Sequence, residues 1–155
     1  MDVKLKYPVF VFRKKDKMVY VYHNDKHMKT TNTEIFRSTN FKGRIIIDSL
    51  GDKYITKKAY HTGYLGLWGF SLRMSGKVIS FDYDYENEIT KISLGELKEM
   101  IFNRYPKSRY FHSAWSDINE FEEEMNKCST FEELARLIGG PPPTKNPVLR
   151  FFRGY

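Results

Sequence analysis

The chain has 155 residues, of which 41% are hydrophobic, 16% aromatic and 29% charged. That composition excludes a disordered chain and is typical of one domain with a sizeable core. A single cysteine, Cys128, excludes an internal disulfide, and no apolar run approaches the roughly 18 residues that a membrane helix needs. We therefore expect one domain over residues 1–155, located in the cytoplasm and without a membrane segment.

The net charge of +7 is distributed unevenly along the chain. Residues 1–77 carry 16 lysines and arginines against 6 acidic residues, whereas residues 78–138 carry 7 against 13. Residues 139–155 add 3 cations and no carboxylate. The basic first half has two explanations: a solvated sheet surface on which lysines block edge pairing, or a surface that neutralises nucleic-acid phosphates.

Period-two patterns predict five or six β-strands in the first 85 residues. The clearest is 77–85, where every second residue is large and apolar: Ile79, Phe81, Tyr83 and Tyr85. The pattern along 66–74 predicts the hairpin partner of this strand, because Ser75-Gly76 between them supplies the positive φ of a tight turn. Further strands are predicted at 7–12, 18–22, 45–48 and 53–59. The first of these is apolar on both faces, which indicates an interior position.

After residue 92 the apolar period changes to that of a helix. Ser93 to Glu96 form a capping-box pattern that begins one helix, and Pro106 ends it. Stripes along 115–128 and 131–138 predict two more helices, the last capped by Ser129 or Thr130. A helical turn is expected at 33–36, and 141–155 are expected to form a Pro-rich connection and a segment docked on the body. The prediction is an α+β domain with an antiparallel sheet first and two or three helices packed on it.

Carboxylates cluster in the only acidic part of the chain. Asp82 and Asp84 share the non-aromatic face of their predicted strand, about 7 Å apart. A solvated face, a metal or acid–base site and a partner surface all remain open, although a calcium loop would need a glycine-centred oxygen pattern that is absent. Because no nucleophile stands beside a base, we expect no catalytic residue, metal or cofactor.

The predicted partner surface extends from this strand to the acidic side of the second helix. It comprises Asp82, Tyr83, Asp84, Glu86, Trp115, Asp117, Glu120 and Glu123. Its aromatic anchors would be Tyr83, if strand twist turns it outward, and Trp115, since aromatic residues dominate binding energy at interfaces. The alternative is a nucleic-acid-binding or regulatory module that uses a basic surface formed by Lys14, Lys15, Lys17, Tyr20 and Tyr22.

Several short motifs carry a resemblance to a known class of proteins. They are Tyr7-Pro8-Val9-Phe10-Val11-Phe12 with Lys15-Asp16, then Ile46-Ile47-Asp48-Ser49 with Gly51, Trp68-Gly69, Trp115-Ser116-Asp117-Ile118-Asn119-Glu120-Phe121, and Phe131-Glu132-Glu133-Leu134. With these motifs the chain resembles small bacterial immunity proteins of contact-dependent and other polymorphic toxin systems. The resemblance implies a cytosolic protein that binds a cognate toxin domain stoichiometrically and blocks its active site or substrate access. We expect a monomer or small homo-oligomer. It transfers no site residue, because members of this class share little at their binding surfaces.

Overall fold

The structure, a computed structural model, describes residues 3–69 and 76–140. Its seven strands and six helices are, in chain order, β1 (Val9–Phe12), β2 (Val19–Tyr22), α1 (Asp25–Met28), β3 (Thr30–Asn32), α2 (Thr33–Ser38), β4 (Ile45–Ile47), β5 (Asp52–Tyr64), β6 (Val78–Tyr85), β7 (Thr90–Lys91), α3 (Leu94–Phe102), α4 (Phe111–Ala114), α5 (Ile118–Lys127) and α6 (Phe131–Gly139). The predicted α+β domain is confirmed. All described strands end before residue 92, and α3 to α6 follow.

The strands form one antiparallel sheet in the order β2-β1-β4-β5-β6-β3, with β7 paired to β5. All four residues of β1 are buried, which confirms its predicted interior position. Successive side chains of a strand point to opposite faces. Phe10 and Phe12 therefore enter a core on one face, whereas Val9 and Val11 enter a second core on the other.

The first core lies beneath the helices that follow the sheet. It joins residues of β1, β2 and β4 to α3, α5 and α6 through Leu97, Phe121 and Leu134, each essentially inaccessible to solvent. The second core joins β1, β4, β5 and β6 to the segment between β2 and β4. Its aromatic centre is formed by rings 5 to 6 Å apart: Phe41, Phe81 and Tyr83. Side chains of this size contribute about 1.5–3 kcal/mol each when fully buried.

Helix starts follow the local sequence. Ser93 and Glu96 exchange the reciprocal hydrogen bonds of the predicted capping box, and α3 ends before the 3₁₀ turn Tyr105–Lys107 that contains Pro106. Thr130, rather than Ser129, is the N-cap of α6. The turn expected at 33–36 is part of α2, whereas α1 and α4 were not predicted because each is a single turn.

The predicted central hairpin is wrong in its first strand. The partner of β6 is β5, with Tyr64 opposite Ile79, and not a strand beginning at residue 66. Residues 65–69 form a turn in which the amide of Val78 donates to the carbonyl of Gly69 (2.7 Å). Gly66, Trp68 and Gly69 have positive φ, a conformation that no β-strand contains. Residues 70–74 of the predicted strand, and the docked segment predicted at 141–155, lie outside the described residues.

Candidate functional site

The carboxylates of β6 are paired with lysines. Lys29 Nζ lies 2.9 Å from Asp82 Oδ1, whereas the closest Lys58–Asp84 and Lys57–Glu86 approaches are 4.0 Å. Burial lowers the pKa of Lys29, but hydrogen bonds to Asp25 and Asp82 outweigh it and raise that pKa overall. Asp82 is therefore paired within the protein, whereas Asp84 and Glu86 have only long contacts with lysines in the described residues.

Tyr83 does not turn outward, so the expectation that it anchors a partner from the surface is wrong. Its side chain is 5% exposed and packs edge-on against Phe81 and Phe41 in the second core. Burial raises the pKa of its hydroxyl to about 12, so the phenol is neutral at physiological pH. Strand alternation explains this, because residues 79, 81, 83 and 85 share one face.

The acidic side of α5 is exposed. Asp117 is the N-cap and accepts from the amide of Asn119, and Glu120 accepts from Ser116 Oγ. No ion pair among residues 3–69 and 76–140 involves Glu120 or Glu123. Trp115 is half-buried and packs on Phe121 with ring centroids 5.1 Å apart, so much of it belongs to the first core.

The two acidic groups stand on different elements, one on β6 and the other on α5. The helices cover β1, β2 and β4, whereas β6 lies three strands from β1, about 14 Å away at the usual strand spacing. No described hydrogen bond or ion pair links the carboxylates of β6 to those of α5. Their roles as partner contacts stay a prediction.

An open groove of about 490 Å³ lies beside the end of β6. Its charged lining has two cations on β5 and two carboxylates after β6: Lys53, Lys57, Glu86 and Glu88. A groove of mixed charge without a nucleophile offers no particular chemistry to a single ligand. In the described part of the chain, histidines, cysteines and carboxylates form no cluster of three that could hold a metal ion.

The tyrosines of the predicted basic surface are already engaged. The Arg13 guanidinium lies 3.9 Å above the ring of Tyr20, whose hydroxyl donates to Asp16 (3.1 Å). Tyr20 and Tyr22 also pack against the second core. Lys14, Lys15 and Lys17 are exposed in the connection between β1 and β2. The lysines can meet an anion there, but the rings offer little surface for stacking on bases.

Around these lysines lies a cleft that sequence reasoning missed, which we name the arginine cleft. Its outer part, about 260 Å³, is lined by five cations and one carboxylate: Arg13, Lys14, Lys15, Lys42, Arg44 and Asp16. Its inner part, about 90 Å³, shares Arg13, Thr39 and Arg44 with the outer part. The cations come from two stretches of chain separated by β2, β3 and two helices, so no local motif could reveal them.

A second missed surface lies at the end of the β5–β6 hairpin. Leu67 is 75% exposed and Trp68 is 82% exposed, and we name this pair the hairpin tip. In the strand predicted over 66–74, the period-two pattern would place Trp68 with the large apolar residues on the face that packs on the core. The turn instead places it in solvent with φ of 51°, a left-handed conformation that bulky residues rarely adopt.

A pocket of about 220 Å³ adjoins the base of the tip. It is lined by α2, β5 and β6 through Thr33, Phe36, Arg37, His61, Tyr64 and Ile79. His61 packs edge-on against Tyr64, with ring centroids 4.9 Å apart, and Lys77 lies 5.1 Å from the same tyrosine ring. A Cβ on Gly69 would come within 3.0 Å of both Tyr64 and the carbonyl of Val78, so this turn is closely packed.

No described helix has both the length and the apolar character needed to cross a bilayer. Comparisons of the chain with protein-family models, with curated proteins and with solved structures found no match in any of the three.

Proposed function

We propose that this protein is a non-catalytic binding protein, an immunity protein that neutralises a toxin domain by occupying its surface in the cytosol. The observation that supports it best is the hairpin tip. A tryptophan and a leucine, each more than 70% exposed, project together from a well-defined turn. Exposed apolar groups that adjoin one another mark sites of protein association, whereas isolated ones are ordinary.

The hairpin tip has the chemistry of an interface hot spot. Tryptophan is among the residues most enriched where truncation costs at least about 2 kcal/mol of binding. The turn that carries it is held by hydrogen bonds from Gly69 to Leu65 and from Val78 to Gly69. A preorganised anchor loses little conformational entropy on association, which favours tight binding.

The pocket beside the tip adds a receptor for a partner side chain. Phe36, Tyr64 and Ile79 give it an apolar wall, and Arg37 gives it a charged rim. A projecting anchor next to a recess supports a protein partner of complementary shape more than a small ligand. The acidic side of α5 remains a candidate second contact, with Asp117, Glu120 and Glu123 steering a basic toxin.

The experiment is a protection assay. Each product of the genes flanking this one is expressed alone and together with this protein, and growth is measured. For a product that is toxic alone, we expect growth to be restored and a complex to be recovered by size-exclusion chromatography. The proposal fails if no flanking product is toxic, or if the toxic one remains toxic in the presence of this protein.

Tip variants then locate the interface. Leu67→Ala with Trp68→Ala should weaken toxin binding by about 30-fold or more, as loss of a hot spot worth about 2 kcal/mol requires. The control is Leu50→Ala, at an exposed apolar residue outside both the tip and the acidic side of α5. Equal affinity of the two variants would remove the tip from the interface while leaving the immunity function intact.

Nucleic-acid binding is the second candidate, favoured by the exposed Lys14, Lys15 and Lys17 at one end of the sheet. Since Tyr20 and Tyr22 are engaged, this binding would rest on phosphate contacts alone. Such binding is unselective and falls steeply with added salt. Nanomolar, sequence-dependent binding to DNA or RNA at physiological salt would place this function ahead of immunity.

A further inference from the structure

Arg44 is a buried cation without a carboxylate. Its side chain is 5% exposed, and no carboxylate in the described residues lies within ion-pair distance of it. One terminal nitrogen donates a long hydrogen bond of 3.4 Å to the Tyr83 hydroxyl, and the guanidinium lies 4.2 Å from the Phe41 ring. Nε is buried and has no hydrogen-bond partner in the described part of the protein.

Another buried charged residue of this protein, by contrast, has several hydrogen-bond partners. Asp48, 1% exposed, accepts hydrogen bonds from the backbone amides of Lys6, Leu50 and Asp52. An arginine cannot shed its charge as a carboxyl can, so burying one that is short of partners is strongly unfavourable. Burial lowers the pKa of Arg44, and the nearby charge of Arg13 lowers it further. The free protein therefore holds a cation at a position that disfavours it.

Arg13 is a second arginine with a buried nitrogen that is unpaired in the described part of the chain, and it lines the same pocket as Arg44. Its Nε is also buried without a hydrogen-bond partner in the described residues, and its closest carboxylate contact, to Asp16, is 3.9 Å long. Both arginines line the inner pocket of about 90 Å³, together with the hydroxyl-bearing Tyr22, Thr39 and Tyr83. That volume equals about three waters, room for one tetrahedral oxyanion.

The outer part of the cleft continues the positive lining. Lys14, Lys15 and Lys42 surround its mouth, with Asp16 as the one carboxylate of its lining. Lys14 lies across Gly43, with Nζ 2.7 Å from where a Cβ would be, so the absent side chain leaves room for this lysine. Arg104 donates to the carbonyl of Asp16 (2.7 Å) and to that of Arg13, which fixes the connection that carries the lysines.

We propose that the arginine cleft binds a phosphate group, with Arg44 and Arg13 as its inner ligands and Lys14, Lys15 and Lys42 around the mouth. Charge-assisted, bidentate contacts to phosphate are what guanidinium groups favour. The ligand is free phosphate or the terminal phosphate of a small organic molecule, which the outer part has room to hold. A phosphodiester inside a duplex does not fit, because Arg44 is too deeply buried for it to reach. This proposal is independent of the immunity function.

The test is calorimetric titration of the whole protein with sodium phosphate, pyrophosphate and adenosine monophosphate, at constant ionic strength set by sodium chloride. We expect saturable binding of at least one of them. Free phosphate alone would identify the inner pocket as the whole site, whereas preference for the monophosphate would show that the outer part is used. No saturable binding of any of the three overturns the proposal, and so does duplex DNA binding as tightly as the best of them.

Two variants assign the ligands. Arg44→Met combined with Tyr83→Phe, which leaves no unpaired hydroxyl, should abolish binding. If that variant does not fold, Lys15→Gln with Lys42→Gln changes only exposed residues and should raise Kd by about tenfold, as loss of two charge-assisted contacts implies. The matched control, Lys4→Gln with Lys107→Gln, removes two exposed lysines outside the cleft and should leave Kd unchanged. Equal weakening in the control and the cleft variant would mean that net charge alone is sensed, which contradicts the proposal.

Discussion

The hairpin tip and the arginine cleft depart from the usual distribution of residues in opposite senses. At the tip an apolar side chain is exposed, since Trp68 is 82% accessible. In the cleft a charged side chain is buried, since Arg44 is 5% accessible. Each arrangement is unfavourable in the free protein, and each becomes favourable when a partner of the right chemistry arrives.

The exposed apolar side chain of the tip and the buried charge of the cleft therefore require different partners. Water is displaced from the tip by an apolar surface, which a protein supplies and a small anion does not. The guanidinium of Arg44 is satisfied by oxygens inside a pocket of about 90 Å³, which a phosphate supplies and a folded protein surface does not. At both sites, the residues that bind the partner should add nothing to the stability of the free protein or should lower it. Substitutions that abolish binding should therefore leave the free protein at least as stable as the unsubstituted one.

The largest effect should come from a residue outside both sites. Phe121 is fully buried in the first core between Tyr105, Phe111 and Trp115. Phe121→Ala should lower the free energy of unfolding by about 3–5 kcal/mol, because it removes transfer energy and leaves a cavity. Urea denaturation measures this, and a loss under about 1 kcal/mol would mean that the helices do not form the core described.

Replacing Arg44 should instead raise the free energy of unfolding. Arg44→Met with Tyr83→Phe should raise the free energy of unfolding by about 1 kcal/mol or more in phosphate-free buffer, since exchanging buried charge for packed apolar atoms is often stabilising. Thermal and urea denaturation measure it, with Tyr83→Phe alone as the control. A clear loss of stability would show that Arg44 stabilises the fold. It would contradict the view that its burial is unfavourable in the free protein.

Two substitutions separate strain from exposure at the tip. Trp68→Ala removes an exposed side chain and keeps the left-handed backbone, so the stability should change by less than about 0.5 kcal/mol. Trp68→Gly also relieves the positive φ and should be more stable than Trp68→Ala by up to about 1 kcal/mol. Equal stability of the two variants in urea denaturation would mean that the left-handed turn carries no strain.

Charge reversal on α5 should matter less. Glu120→Lys with Glu123→Lys alters exposed carboxylates without ion pairs in the described residues, so stability should change by about 1 kcal/mol or less. If this side of α5 faces a basic toxin, stopped-flow measurements should show slower association and a steeper dependence on salt. Unchanged association kinetics would exclude this side of α5 from the interface and confine the interface to the tip.

The smallest effect should come from His23, a half-buried group that can lose its charge, as arginine cannot. Burial lowers the pKa of His23, and its Nε2 lies 3.1 Å from the carbonyl of Gly140, to which the neutral ring donates. The unfolded chain then binds a proton more readily, so stability should fall as pH drops below about 6.5. His23→Gln should reduce this slope in urea titrations at several pH values. An unchanged slope in His23→Gln would contradict the assignment.

Local sequence was sufficient for several of the elements. Alternation from Ile79 to Tyr85 predicted β6 and its buried face, and Ser93 with Glu96 predicted the start of α3. The two apolar faces of β1 predicted its interior position between two cores. These features depend on side chains within a few residues of one another, whose periodicity and capping act before any distant contact forms.

The tertiary structure alone decided what pairs with what and which side chains remain in solvent. Period two along 66–74 suits a strand, but hydrogen bonds from Leu65 and Val78 close the chain into a turn there and leave Trp68 exposed. The pairing of Asp82 with Lys29 and the meeting of Arg44 with Arg13 join segments far apart in the chain. Such juxtapositions depend on register and strand order, which are set by long-range packing and leave no periodic trace in the sequence.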